Sequence, residues 1–148
     1  MRYSQAKELV QSLLEDGEFQ ELSIDERNAV VERILSDIKG RMMEDIVLLE
    51  TKIANPKKQI FQLQFAVGEF DMVVADNANA TCKIYEVKHS KEQAKEQYRH
   101  LIDEEKLKST EFRYGKITKK VVIYRGENTT LENGIEYRNV EEYLKSLV

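Results

Sequence analysis

Residues 60–88, IFQLQFAVGEFDMVVADNANATCKIYEVK, decide the fold. Apolar and polar residues alternate over 60–67, which predicts a half-buried strand with Phe61, Leu63, Phe65 and Val67 on its buried face. Short turns separate this run from two further runs rich in strand-forming residues, 70–75 and 82–88. Strands joined by such short turns pair antiparallel, so the stretch predicts a three-stranded meander.

The chain before the meander has a helical pattern. Apolar residues recur at intervals of three and four over 5–15, and Ser23 with Glu26 forms a capping-box pattern that opens a second helix. Gly40 interrupts this helix and the periodicity resumes at once, so one long kinked helix and two abutting helices both fit. Asn55-Pro56 ends the helical region, because the residue before proline avoids the helical conformation.

The chain after the meander predicts a crossover. Ser90 and Gln93 form a second capping-box pattern, which predicts a helix to about residue 108, and a short apolar strand follows at 121–124. A strand, a helix and a strand in this order place the two strands parallel and adjacent. An Asn133-Gly134 turn, an edge strand at 135–137 and a closing helix complete the chain.

These elements predict an α/β fold with a central mixed β-sheet flanked by helices and an N-terminal helical extension. The expected division is an N-terminal helical segment over 1–39 and a sheet domain over 40–148.

Composition narrows the classes of protein. The 148 residues have a net charge of −4, yet residues 83–125 carry 12 basic and 7 acidic side chains and form a basic region. No apolar run is long enough to span a bilayer, and the beginning of the chain lacks the apolar stretch of a secretory signal. Cys82 is the single cysteine, which excludes an internal disulfide and a multi-cysteine zinc site. We therefore expect a cytoplasmic protein that does not enter a membrane.

Three residues within the predicted sheet are candidates for chemistry. Glu86 and Lys88 are two apart in one strand and project from the same face, and Asp71 lies in the neighbouring strand among apolar residues. Two carboxylates beside a lysine suit a hard cation such as Mg²⁺ or Mn²⁺, which substrate phosphate oxygens would help to coordinate.

Further candidates lie on the helices. Glu44 is expected to be a third metal ligand or an outer partner, and Gln97 is expected to point toward the sheet. Lys91, Lys95 and Arg99 recur every four residues of the predicted helix and are candidate nucleic-acid contacts, although the interleaved Glu92 and Glu96 also fit solvated ion pairs.

Together, Glu44, Asp71, Glu86-Val87-Lys88 and a glutamine on the next helix resemble the PD-(D/E)XK, or restriction-endonuclease-like, superfamily. The stretches GRMMEDIVLLE, FAVGEFDMVV, IYEVKHSKE, QYRHL and YGKITKKVVIYRGE are also similar to the nuclease-like domain that follows the ATPase module of some bacterial AAA-type proteins.

The resemblance implies Mg²⁺ at Asp71 and Glu86, Glu44 as the acid of the first helix, Lys88 as the catalytic lysine and Gln97 as part of the site. It also implies a nucleic-acid substrate, with DNA expected ahead of RNA, and an ATPase module covalently attached at the N-terminal side. The sequence departs from the pattern at Phe70, where the superfamily usually has proline.

Two functions fit these residues. One is a metal-dependent nuclease, and the other is a catalytically inactive nuclease-fold module that binds nucleic acid or protein and regulates an attached ATPase. An isolated E-x-K pattern is also common as a cross-face ion pair, so the geometry of the acidic residues must separate these alternatives.

Overall fold

The structure is a computed structural model that describes residues 7, 8, 11, 15 and 21–148. Residues Met1–Met43 and Glu44–Val148 form two compact units, whereas the sequence placed the division after residue 39. The helix predicted over 5–15 lies mostly outside the described residues, and its four described residues are helical and exposed. Two of these, Gln11 and Glu15, share a hydrogen bond of 2.9 Å one helical turn apart.

Helix α1, Ile24–Ala54, begins and ends where the sequence predicts. The Ser23 backbone N–H donates to Glu26 Oε2 at 2.8 Å, and the Glu26 N–H donates to Ser23 Oγ at 3.2 Å, which completes the capping box. The helix continues through Gly40 as one element and stops immediately before Asn55-Pro56.

Only one face of the last turns of α1 is buried. In the second unit Val47 and Thr51 are buried, whereas Ile46, Leu49 and Ile53 are exposed. The apolar periodicity of this segment therefore predicts the helix correctly but overstates how much of it reaches the core.

Six strands form one sheet in the order β1-β2-β3-β4-β6-β5. Their bounds are β1 Gln59–Gln64, β2 Glu69–Asp76, β3 Thr81–Val87, β4 Lys116–Tyr124, β5 Thr129–Thr130 and β6 Glu136–Asn139. The first three strands pair antiparallel, β3–β4 and β4–β6 pair parallel, and β5–β6 pair antiparallel. The sheet is thus mixed, as predicted, and the meander is confirmed.

Strand β1 is shorter and less regular than its alternation suggests. Its register against β2 shifts between Phe61 and Leu63, and Ile60 and Leu63 are its buried residues. Val67 lies beyond the strand and is 76% exposed, so its predicted place on the buried face is wrong. A bulge changes the phase of a strand, which alternation alone does not reveal.

The crossover from β3 to β4 differs from the single helix that was predicted. Residues Lys95–Ile102 form a 3-10 helix, and helix α2 occupies Glu104–Tyr114. Ser90 does not cap a helix, because its hydroxyl instead accepts the Glu92 N–H at 3.0 Å in a local turn. The cap of α2 is Asp103, whose carboxylate accepts the N–H groups of Glu105 and Lys106.

The end of the chain completes the sheet and its second layer. Strand β6 lies between β4 and β5, so the prediction of an edge strand at 135–137 is wrong, and helix α3, Val140–Lys145, follows it. Tyr143 of α3 packs 6.0 Å from the Tyr85 ring of β3 and bonds Thr51 of α1 at 2.8 Å.

The opposite sheet face carries the largest apolar cluster. Val73, Ile84 and Val122 from three strands meet Leu101 of the 3-10 helix there. Helices thus flank both faces of an α/β sheet. Among residues 7, 8, 11, 15 and 21–148, no helix is both long and apolar enough to cross a membrane.

Candidate metal and phosphate site

The sheet brings Asp71, Glu86 and Lys88 together. The β2–β3 ladder ends at the pair of Met72 and Tyr85, and the next residues along the two strands are Asp71 and Glu86. Lys88 Nζ lies 3.2 Å from Glu86 Oε2 and 3.9 Å from Asp71 Oδ2. The two carboxylates and the lysine therefore lie close together, as the sequence predicts.

Backbone contacts fix two of these residues. Asp71 Oδ2 accepts the Val87 N–H at 2.7 Å, so the carboxylate replaces a ladder acceptor at the end of the paired region. The Lys88 N–H donates to the Ile123 carbonyl of β4 at 2.8 Å. The backbone role of Val87 is not evident from the sequence, although a buried aspartate in a strand signals that some donor must satisfy it.

Glu86 is the most unusual member of the group. Its residue surface is 2% exposed, and its Oε1 is buried with no hydrogen-bond partner among the described residues. Burial, followed by the charge of Asp71, raises the pKa of Glu86 to about 9. At neutral pH Glu86 is therefore mostly protonated in the metal-free protein and hydrogen-bonds to Asp71.

Lys88 supplies the positive charge of the group. Burial opposes the charged form of Lys88, but the carboxylates of Glu86 and Asp71 outweigh burial, so the pKa of Lys88 is raised. Glu44 contributes to the same rise, which places its charge close enough to act on Lys88. Glu44 is half-buried on α1, at the first position of the second unit.

The residues present fit a hard divalent cation. The described residues contain no group of three or more His, Cys, Asp and Glu side chains arranged to hold a metal. Mg²⁺ commonly binds through one or two carboxylates and takes its remaining ligands from water and phosphate. An unpartnered, buried carboxylate oxygen on Glu86, beside Asp71, is the kind of donor that such an ion requires.

Gln97 is engaged elsewhere. Its Oε1 accepts the Ala94 N–H at 3.0 Å and the Tyr137 hydroxyl at 2.9 Å, and its Nε2 donates to the Glu92 carbonyl at 3.0 Å. Gln97 does reach the sheet through Tyr137 of β6, but the amide holds the loop that precedes the 3-10 helix. It is not among the bonded partners of Asp71, Glu86 and Lys88.

The three predicted nucleic-acid contacts do not form a helical stripe. Lys91, Lys95 and Arg99 are exposed, but Lys91 precedes the 3-10 helix that carries the other two. Because a 3-10 helix has three residues per turn, residues four apart project about 120° away from each other. The three residues therefore do not share one helical face, and their contact with nucleic acid stays a prediction.

Three further residues with side chains that can carry chemistry are Cys82, His89 and His100. Cys82 is buried, and burial raises its pKa to about 11. The His100 ring lies against Gly68, whose φ of +85° suits glycine and where an added Cβ would meet the ring at 2.4 Å. His89 Nε2 lies 3.5 Å from Arg125 Nη1 at the end of β3, beside Lys88.

Comparisons of the chain with protein-family models, with curated proteins and with solved structures found no match. The resemblance to PD-(D/E)XK nucleases therefore stays a prediction that depends on the residues described above.

Proposed function

We propose that this chain is a Mg²⁺- or Mn²⁺-dependent phosphodiesterase domain that acts on nucleic acid and belongs to a larger ATPase protein. The observation that supports the chemistry is the Glu86 carboxyl group, buried with one unpartnered oxygen and in contact with Asp71 and Lys88. Buried acceptors are rarely left unsatisfied, because each costs about 1–3 kcal/mol, so Glu86 Oε1 is a suitable donor for a cation. The ATPase attachment and the preference for DNA depend on the family resemblance alone.

Each residue has a definite role in this proposal. Asp71 and Glu86 would hold the cation, with Glu44 of α1 as an outer acid whose charge acts on Lys88, and the ion would polarise the phosphodiester and acidify a bound water. Asp71 is held in place by the Val87 N–H. Lys88, which keeps its charge beside the two acids, would orient the attacking water or stabilise negative charge as it develops.

One observation favours the second candidate, a catalytically inactive module. Lys88 Nζ already lies 3.2 Å from Glu86 Oε2, so an internal cation partly satisfies the carboxylate without a metal. In that case Lys88 and the two acids would be a structural polar cluster, and the domain would serve the ATPase as a binding or regulatory surface.

A paired measurement separates the two candidates. Isothermal titration with MnCl₂ should show one site per chain, and Mg²⁺ or Mn²⁺ should support cleavage of a panel of labelled single- and double-stranded DNA and RNA. Asp71→Asn and Glu86→Gln should lose metal binding and cleavage together. Glu132→Gln, on an exposed turn, is the matched control and should keep both.

Metal binding without cleavage of any substrate would support the inactive module. Absence of metal binding at millimolar concentration would contradict the proposed site itself.

A further inference from the structure

A second charged surface lies on the sheet face that α3 partly covers. Strands β3 and β4 pair as Cys82 with Ile117 and then as Lys83 with Lys119, so the ladder skips Thr118. Without this bulge Lys83 would lie opposite Thr118, and Lys119 would turn toward the face that holds Ile84. The bulge therefore places two lysines side by side, although like charges directly opposite each other destabilise a sheet.

Other cations add to this pair. Lys58 and Arg138 lie close enough to act on the charge of Lys83. Burial, then the charges of Lys58 and Lys119, lower the pKa of Lys83. We call Lys58, Lys83, Lys119 and Arg138 the basic surface.

The acidic groups beside the basic surface compensate it only in part. Glu136 Oε1 lies 3.5 Å from Lys119 Nζ and raises the pKa of Lys83. Asp76 interacts with Lys58, but its carboxylate is bonded to the Asn79 side chain at 2.9 Å. Among the described residues, Glu136 and Asp76 thus act on these cations, and Asp76 is already engaged in a turn.

The basic surface is partly open to solvent, since Lys119 is exposed and Lys58, Lys83 and Arg138 are half-buried. Two residues further along the same strands, Tyr85 and Val121 are buried, and Tyr143 of α3 packs on Tyr85. In contrast, the Lys119 side chain is 46% exposed. A groove of about 290 Å³ adjoins the basic surface at Arg138. It is lined by Asn128, Thr129, Thr130, Glu136, Tyr137 and Arg138.

The chemistry of this surface selects its partner. It offers ammonium, guanidinium and hydroxyl donors, whereas the Asn128 amide is bonded to Glu142, and its one aromatic lining residue, Tyr137, is 1% exposed and so provides no apolar anchor. Stable protein interfaces have an apolar centre, whereas phosphate oxygens are held by Lys, Arg, Thr and Asn side chains. We propose that the basic surface binds the phosphodiester backbone of a nucleic acid without reading its base sequence.

The basic surface is separate from the carboxylate site. By strand alternation, Lys83 and Tyr85 project from one face of β3, and Ile84 and Glu86 from the other. Binding at the basic surface therefore does not depend on the proposed metal or on cleavage. In a nuclease it would hold the strand away from the reacting bond, and in an inactive module it would be the binding site itself.

The test is fluorescence anisotropy in EDTA with labelled 20-nucleotide DNA, RNA and duplex probes at several salt concentrations. The Lys83→Gln/Lys119→Gln variant should bind about tenfold more weakly at 0.1 M salt. For a single-stranded probe, the slope of the logarithm of the association constant against the logarithm of the salt concentration should be shallower by about 1.4 in this variant, because two phosphate contacts are lost. Lys119→Gln alone should show about half of this change in slope. Because Lys119 is exposed, this variant tests the proposal even if the double variant does not fold.

The matched control is Lys39→Gln/Lys108→Gln, which removes the same charge from exposed positions on α1 and α2. It should keep the slope of the wild type. Equal weakening of both double variants would show attraction to net charge only and would overturn the proposal. Failure of the wild type to bind any probe, or equally tight binding of poly-glutamate, would overturn it as well.

Discussion

Two carboxylate–lysine contacts in this protein have opposite electrostatics. Asp103 Oδ2 lies 2.9 Å from Lys106 Nζ at the start of α2, and Glu86 Oε2 lies 3.2 Å from Lys88 Nζ in the sheet. The pKa of Asp103 is lowered, chiefly by the hydrogen bonds that the side chain and backbone of Lys106 donate. The pKa of Glu86 is raised to about 9, chiefly by burial.

The distance between a carboxylate and a lysine therefore does not by itself determine whether the acid is ionised. The Asp103 side chain is 37% exposed and accepts two backbone N–H groups of its helix. Glu86 is nearly inaccessible, lies beside Asp71 and has one oxygen without a donor. Water and donors stabilise a negative charge at the helix cap, whereas at the sheet a proton or a cation must do so.

The largest expected effect is the pH dependence that Glu86 imposes on the metal-free protein. The folded pKa of about 9 exceeds the ordinary value of 4.5, so between these values the folded state retains a proton that the unfolded state releases. The free energy of unfolding should therefore fall as pH rises from 5 to 9, by on the order of 1 kcal/mol per pH unit. Glu86→Gln cannot titrate and should remove most of this slope.

Urea denaturation in EDTA at pH 5, 7 and 9 measures the effect. Glu86→Gln should match the wild type at pH 5 and exceed its stability at pH 9. If the free energy of unfolding changed with pH in the same way in both proteins, Glu86 would be ionised in the folded state. The contrast with Asp103 would then disappear.

A smaller loss is expected when Asp71 no longer accepts the Val87 N–H. Asp71→Ala leaves this buried donor without a partner and should cost about 2 kcal/mol at pH 5, well below the pKa of about 9 that Glu86 has in the folded wild type. Asp71→Asn keeps an acceptor oxygen in place and should lose less than half as much. Denaturant midpoints of the two variants compare them directly, and equal losses would show that the charge of Asp71, not its hydrogen bond, stabilises the strand end.

The carboxylate site is more predictable from sequence than its surroundings. Glu86 and Lys88 share a strand face by alternation, and the short turn after β2 brings Asp71 beside them. The helix after Ser90 is not predictable in the same way, because hydroxyl and amide side chains can satisfy a turn as well as a helix end. Ser90 bonds within a turn, and Gln97 bonds to Tyr137, a residue 40 positions away.

The bulge at Thr118 is also invisible in the sequence. Alternation assigns faces within an unbroken ladder, and one skipped residue reverses the assignment for everything that follows. Lys119 reaches the basic surface only through this shift. The register of the sheet, and with it the second charged surface, emerges from packing between strands that are distant in the chain.

The smallest effect is expected at Asp103, the more exposed of the two acids. Because the folded pKa of Asp103 lies below its ordinary value of 3.8, its ionised form stabilises the fold above that pH, and this contribution is lost as pH falls through the folded pKa. Asp103→Asn keeps a capping oxygen for the N–H groups of Glu105 and Lys106 but loses the charge. Thermal unfolding should show a small deficit for the variant at pH 6 that closes toward pH 2, whereas Glu104→Gln, an exposed neighbour, should show less of it. A deficit that stays constant down to pH 2 would mean that the cap depends on geometry alone, and the two carboxylate–lysine contacts would then differ in burial but not in the use of charge.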